Sequence, residues 1–326
     1  MNMNNQKKHI KFVMGTMTIG EQIFGNDVKE MLQEFLLSGY HDLDSAYVYN
    51  DGQCEQLLGG ALKEFPKNSF AISTKANPRI TGKLDKEAVI TQCNTSLERL
   101  QISKADIFYL HFPDPNTPLT SALEGCAQLY EEGKFARLGL SNFPAWLVAE
   151  TCRICEKNGW MLPEVYQGLY NPLSRHAEEE LDRALDYYNI SFYAYNPLAG
   201  GILTDKYSGK EPAIKTGRFT NRPNYQKRYW KDSYFEAAEL LKKVCSKYNI
   251  HIVEAAYRWL AFHSMLKTER DDAIIVGASR VSQLKENLLA LKNQDLAEEI
   301  VNAFNDAWLI CQNDAPSYFR YYTPSK

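Results

Sequence analysis

Strand-like apolar stretches and amphipathic helix-like stretches alternate along this 326-residue chain with short connections between them, an order that builds a parallel sheet. KFVMG is followed by DVKEMLQEFLLSG, HDLDSA by GQCEQLLGGALKEF, and FAISTK by KEAVITQCNTSLERL. ADIFYLH precedes PLTSALEGCAQLYEEG, RLGLS precedes the helix around Trp146, and EVYQG precedes the helix around EEELDRALDYYN; SFYAYNP and AIIVGAS supply the last two strands. Eight such units suit a closed α/β barrel. Gly39, Gly133 and Gly159 follow helices, where a left-handed residue turns the chain back toward the next strand. The rhythm breaks twice, from about Gly200 to Lys231 and after Asn287. Long segments at the carboxyl ends of strands shape a binding site. With no linker or repeat, residues 1–326 read as one domain.

Composition narrows the partners. A net charge of -3 with scattered basic residues leaves no electrostatic footprint for nucleic acid or an anionic membrane. No apolar run is long enough to span a bilayer, and MNMNNQKKHIKF lacks the apolar segment of a secretory signal. The 7 cysteines are odd in number and widely spaced, as expected in a reduced compartment. These features predict a cytoplasmic protein with a small-molecule partner. Cys152 and Cys155 have C-x-x-C spacing but no second pair, and they fall in one amphipathic helix, so they read as core residues and no metal is expected. Neither G-x-G-x-x-G after a strand nor a P-loop motif is present, so a dinucleotide, if bound, is held by other means.

Chemistry concentrates at strand ends. Asp44 lies in HDLDSA, Lys75 closes FAISTK, His111 closes ADIFYLH, and Tyr49 lies on the loop after the first of these. Polar endings on apolar barrel strands mark the catalytic rim. Taken singly, each has an ordinary reading: a capping carboxylate, a solvated lysine, a buried histidine, a packing tyrosine. Together they are the residue types that deliver a proton to a carbonyl oxygen and stabilise charge there.

GTM at Gly15 to Met17, LDSAYVY, STKANP, SLERLQISKADIFYLHFPD and GLSNF together resemble the aldo-keto reductase superfamily. VYQGLYNPLSR, FYAYNPLAGGILTDKY and DAPSYFR narrow the likeness to the aflatoxin aldehyde reductase branch, which also reduces succinic semialdehyde. The resemblance runs from about Lys11 to Arg320. It implies a (β/α)8 TIM barrel with long loops at its carboxyl face and an extra C-terminal helix, NADPH lying across the top, and a possible homodimer. It also implies a catalytic tetrad of Asp44, Tyr49, Lys75 and His111. Tyr49 would donate the proton, His111 would orient the carbonyl, and Lys75, held by Asp44, would lower the tyrosine pKa from its usual value near 10.

The same likeness places the nicotinamide carboxamide against Ser141, Asn142 and Gln167, with Tyr195 stacked on the ring and Met17 and Asp44 nearby. Asn196 to Lys206, including Leu198, Gly200, Gly201 and Lys206, would wrap the pyrophosphate. Ser279, Arg280, Gln283 and Asn287 would face the adenosine phosphate at a helix start, with Arg218 as a second candidate there. Tyr225, Arg228 and Arg320 would bind the substrate, an arginine pairing with the carboxylate of a semialdehyde. The chain continues past Arg320 with YYTPSK, beyond the point where the family pattern ends. Two other readings are a noncatalytic NADPH-binding subunit like the potassium-channel β subunits and a barrel isomerase acting on a phosphorylated substrate. Steady NADPH consumption with aldehydes favours the reductase over the first, and absence of cofactor binding would point to the second.

Overall fold

Eight parallel strands pair in sequence order and close on themselves: β1 (Lys11–Gly15), β2 (Asp42–Asp44), β3 (Ala71–Ala76), β4 (Ala105–Leu110), β5 (Phe135–Ser141), β6 (Pro163–Leu169), β7 (Ser191–Tyr195) and β8 (Ala273–Gly277). The ring shuts where Val13 pairs with Ile275 and Gly15 with Gly277. This computed structural model describes residues 10–207, 219, 222–290 and 295–323; Arg218 lies outside them. The barrel expected from the sequence is the barrel found.

Six helices cross between the strands in the first part of the chain: α1 (Asn26–Leu37), α2 (Gln53–Leu62), α3 (Lys86–Leu100), α4 (Leu119–Glu131), α5 (Ala145–Asn158) and α6 (Leu181–Tyr188). Gly39, Gly133 and Gly159 take φ of 87°, 71° and 67°, the left-handed stops expected after α1, α4 and α5. The β7–β8 connection holds α7 (Pro223–Tyr229), α8 (Asp232–Lys247) and α9 (Ile252–Phe262). After β8 come α10 (Val281–Leu289) and α11 (Glu298–Cys311), the latter packed on α8. Among the described residues, no helix is long and apolar enough to cross a membrane.

Strands buried on both faces read as continuous apolar runs, and their period of two sorts side chains between two cores. Phe12, Met14, Phe108 and Leu110 belong to the core that includes the surrounding helices. Each such buried side chain stabilises the fold by about 1.5–3 kcal/mol relative to exposure. Val13, Ile107, Tyr109, Val165, Tyr193, Ala273 and Ile275 form a second cluster that plugs the barrel. A Cβ on Gly139 would meet the Tyr109 ring at 2.2 Å, so this glycine makes room for the aromatic plug. Cys152 and Cys155 are buried in α5, as core residues.

Candidate active site

The strand alternation that plugs the barrel also builds its mouth. Inward positions recur at every second residue, so Ile107 and Tyr109 are followed by His111, Val165 by Gln167, and Tyr193 by Tyr195. Asp44 pairs with Gly15 and Ser73 in register, and Lys75 pairs with Tyr109. Asp44, Lys75, His111, Ser141, Gln167 and Tyr195 therefore converge on one end, from six different strands or their immediate ends. All but the buried Lys75 line a cavity of about 1200 Å³.

Lys75 is wholly buried, and its ammonium lies 2.7 Å from each oxygen of Asp44 and 2.6 Å from the Ser45 carbonyl. Asp44 also accepts from Gln167 Nε2 at 2.8 Å and Ser73 Oγ at 3.0 Å. A carboxylate with this many donors is fixed in place. Burial pulls the Lys75 ammonium below its ordinary value, against the opposing pull of Asp44. The ammonium is 3.4 Å from the Tyr49 hydroxyl and stands over the Tyr49 and Tyr109 rings.

Tyr49 sits on a pinned turn. Asn50 and Asp51 hold left-handed φ of 50° and 53°, and the Asn50 amide donates to the carbonyls of Met17 and Ile19. Arg99 donates to the Tyr47 carbonyl at 3.2 Å and lies over the Tyr47 ring, while Gly52 leaves the space its guanidinium occupies. The Tyr49 pKa lies above its ordinary value, not below it as expected. The phenol is raised well above its ordinary value, first by burial and then by the charge of Asp44, which together outweigh what the ammonium 3.4 Å away does for the phenolate.

His111 stacks on Phe112 with ring centroids 4.8 Å apart and meets the Tyr49 ring edge-on at 6.1 Å. Burial, then Lys75 and Arg320, hold the imidazole well below its ordinary value, so it is neutral near pH 7. Its Nδ1 lies 3.0 Å from the amide nitrogen of Asn77.

Beside His111, Asn142 donates to the His111 carbonyl and to Ser141 Oγ, both at 2.9 Å, and accepts from the Tyr195 hydroxyl at 2.7 Å. Ser141 thus keeps its own proton to donate. Gln167 has Oε1 left to accept once its nitrogen is bound to Asp44. One free donor and one free acceptor match a primary carboxamide. Met17, Asn196, Leu198, Gly200, Gly201 and Lys206 line the same cavity, Gly200 and Gly201 with φ of 70° and 113°. A Cβ on Gly200 would meet the rings of Tyr225 and Tyr229 at 2.9 Å.

Of the residues expected at the adenosine phosphate, Ser279 and Gln283 line the cavity and bond to each other at 3.0 Å. Arg280 is exposed at the start of α10 and is not part of the cavity wall. Asn287 is buried, with its amide donating to the Gly277 carbonyl at 3.3 Å. Tyr225, Arg228 and Arg320 all reach the cavity. Arg320 lies over Phe112, and its backbone N–H donates to the Asn142 carbonyl at 3.1 Å. The tail beyond it runs along the rim: Tyr322 N–H donates to the Pro113 carbonyl, and Tyr321, Tyr322 and Thr323 join the wall.

Nothing in the sequence singles out Asn77, Arg79, Arg99, Phe112 or Arg222. Arg222 pairs with Glu21 at 2.7 Å and bridges the long loop to the segment after β1. Asp44 is the only acidic residue among the described residues lining the cavity, against Arg79, Lys206, Arg222, Arg228 and Arg320. With Asp44 paired to Lys75 and Arg222 to Glu21, the remaining Arg79, Lys206, Arg228 and Arg320 leave the cavity cationic.

Residues 11–308 match the family model described as the Aldo/keto reductase family. The chain is 42% identical to mouse aflatoxin B1 aldehyde reductase member 2 over 94% of this chain and 87% of that protein. It is 41% identical to human aldo-keto reductase family 7 member A3 and 41% identical to human aflatoxin B1 aldehyde reductase member 4, in each case over 94% of this chain and 96% of the relative.

Proposed function

The chain belongs to the aldo/keto reductase family, an oxidoreductase family acting on carbonyl groups with a nicotinamide cofactor, and on that premise we propose that it reduces aldehydes to alcohols with NADPH, Tyr49 giving the proton. We place the reaction in one barrel domain spanning the chain. Among its substrates we include aldehydes that carry a carboxylate, such as succinic semialdehyde, because the cavity offers Arg228 and Arg320 and almost no negative charge to oppose them.

The residues present fit the cofactor. Ser141 and Gln167 offer the donor and acceptor that a carboxamide needs, Tyr195 supplies an aromatic face, and Lys206 with Gly200 and Gly201 suits a pyrophosphate. NADPH, when bound, supplies a hydride to the carbonyl carbon. Negative charge then develops on the carbonyl oxygen, and donors already aimed at that oxygen lower the barrier.

Tyr49 is suited to this because burial keeps its phenol protonated until a much stronger base, the forming alkoxide, draws the proton away. Lys75, 3.4 Å away, then stabilises the phenolate left behind, while Asp44 fixes the ammonium. His111 donates to the same carbonyl oxygen and orients it. The observation that carries the reading is the buried Asp44–Lys75 pair set beside the Tyr49 hydroxyl at the cavity wall.

The test is NADPH oxidation across succinic semialdehyde, 2-carboxybenzaldehyde, methylglyoxal and uncharged aldehydes. A marked preference for the carboxylated compounds supports the arginine pocket. Tight NADPH binding with negligible turnover of every aldehyde overturns the enzyme reading.

A further inference from the structure

We propose that Asn77 is a positioning residue for the reduction: its amide N–H, donated to Nδ1 of His111, fixes the imidazole as the tautomer protonated on Nε2, so that this ring N–H is presented to the carbonyl oxygen. The proposal rests on the reading of His111 as the donor that orients the carbonyl. It adds the group that decides which nitrogen of that ring carries the proton.

Asn77 lies two residues past Lys75 on the continuation of β3, is buried, and is held on every polar atom. Its backbone N–H donates to Gln92 Oε1 at 2.9 Å, and its carbonyl accepts from Gln92 Nε2 at 3.1 Å. In the side chain, Oδ1 accepts from the Arg79 backbone N–H at 2.9 Å and Nδ2 lies 3.0 Å from His111 Nδ1. The Arg79 contact settles the amide's orientation. A backbone N–H can only donate, so turning the amide over would set two donors against each other at 2.9 Å.

With Nδ2 facing the ring, Nδ1 must accept, and a neutral imidazole with an accepting Nδ1 carries its proton on Nε2. The groups around the ring favour the neutral form. Lys75 and Arg320 repel a second proton, Tyr49 and Phe112 pack against the ring, and no acidic side chain is recorded against His111 among the described residues. His111 lines the cavity, so the Nε2 edge is the one left for a substrate oxygen. Without Asn77 the ring could place a lone pair there, opposing the charge that develops in reduction.

The test begins with the unaltered protein. In a sample carrying 15N-labelled histidine, His111, assigned by loss of its signals in His111→Phe, should show a pyridine-type Nδ1 and a pyrrole-type Nε2 at neutral pH. The opposite pattern overturns the proposal without any variant being made. The second measurement uses Asn77→Asp, whose carboxylate accepts from Nδ1–H and moves the proton to that nitrogen. Turnover of a preferred aldehyde should fall on the order of a hundredfold at neutral pH, with NADPH affinity unchanged. Because an adjacent carboxylate also favours the imidazolium, in which Nε2 keeps its proton, part of the rate should return as pH is lowered, a step that the unaltered enzyme lacks. An Asn77→Asp enzyme that keeps its turnover, or loses it equally at all pH values with the Nε2–H pattern intact, contradicts the proposal. The 15N signals are read without substrate, so failure of the tautomer assignment is distinguishable from failure of the reductase reading, which shows as absent turnover in the unaltered protein.

Discussion

The Lys75 ammonium lies 2.7 Å from both carboxylate oxygens of Asp44, inside the barrel and out of contact with water. Removing one member of a buried ion pair leaves an uncompensated charge. Asp44→Ala should therefore destabilise the protein by about 3–5 kcal/mol, read as a lower urea midpoint. Asp44→Ala combined with Lys75→Met should recover part of that loss, since no charge then remains buried. A single variant as stable as the unaltered protein would show that the ammonium is not held as described.

His111 contributes a pH dependence of known sign. Its pKa is depressed in the folded state, by burial first, while the unfolded value is about 6.5. Below that value the unfolded chain binds more protons than the folded one, so this group makes stability fall as pH drops through about 6.5, and has no effect well above it. Urea midpoints measured from pH 8 to pH 5 should decline less steeply in His111→Phe. Identical slopes in the two proteins would remove His111 as the source.

Arg320 and Arg228 line a cavity with almost no opposing charge, where we propose that the substrate binds. Replacing Arg320 with Ala should raise KM for succinic semialdehyde roughly 10- to 100-fold, the range for a lost charge-assisted hydrogen bond. KM for an uncharged aldehyde should change little. Equal changes for both substrates would assign Arg320 to packing on Phe112 instead.

Arg280 tests cofactor choice. It is exposed beside Ser279 and Gln283, which do line the cavity. A phosphate held at the start of α10 with help from this guanidinium predicts that Arg280→Ala weakens NADPH much more than NADH, measured by fluorescence titration. An equal loss for both cofactors places the 2′-phosphate elsewhere.

Much of this architecture is legible in the sequence because a strand's period of two leaves little freedom. Once Ile107 and Tyr109 face inward, His111 must follow them, and the same logic carries Asp44, Lys75, Gln167 and Tyr195 to the mouth. What was not legible depends on three-dimensional neighbours. Asn77 is an ordinary loop residue until it is seen between Arg79 and His111. The direction of the Tyr49 shift depends on its burial and on the charge of Asp44, which no motif encodes. The stretch from Gly200 to Lys231 read as loop because α7 has only 7 residues, too few to show a helical period, yet it carries Tyr225 and Arg228 to the cavity.

The most direct measurement is pre-steady-state reduction by Tyr49→Phe, with NADPH bound and a saturating carboxylated aldehyde. The hydroxyl is lost while the ring over Lys75 is kept. Hydride transfer should slow by roughly 10²- to 10⁴-fold, the range for a lost general acid, with NADPH affinity nearly intact. Transfer at the unaltered rate would contradict the account, because the proton would then reach the alkoxide from another group.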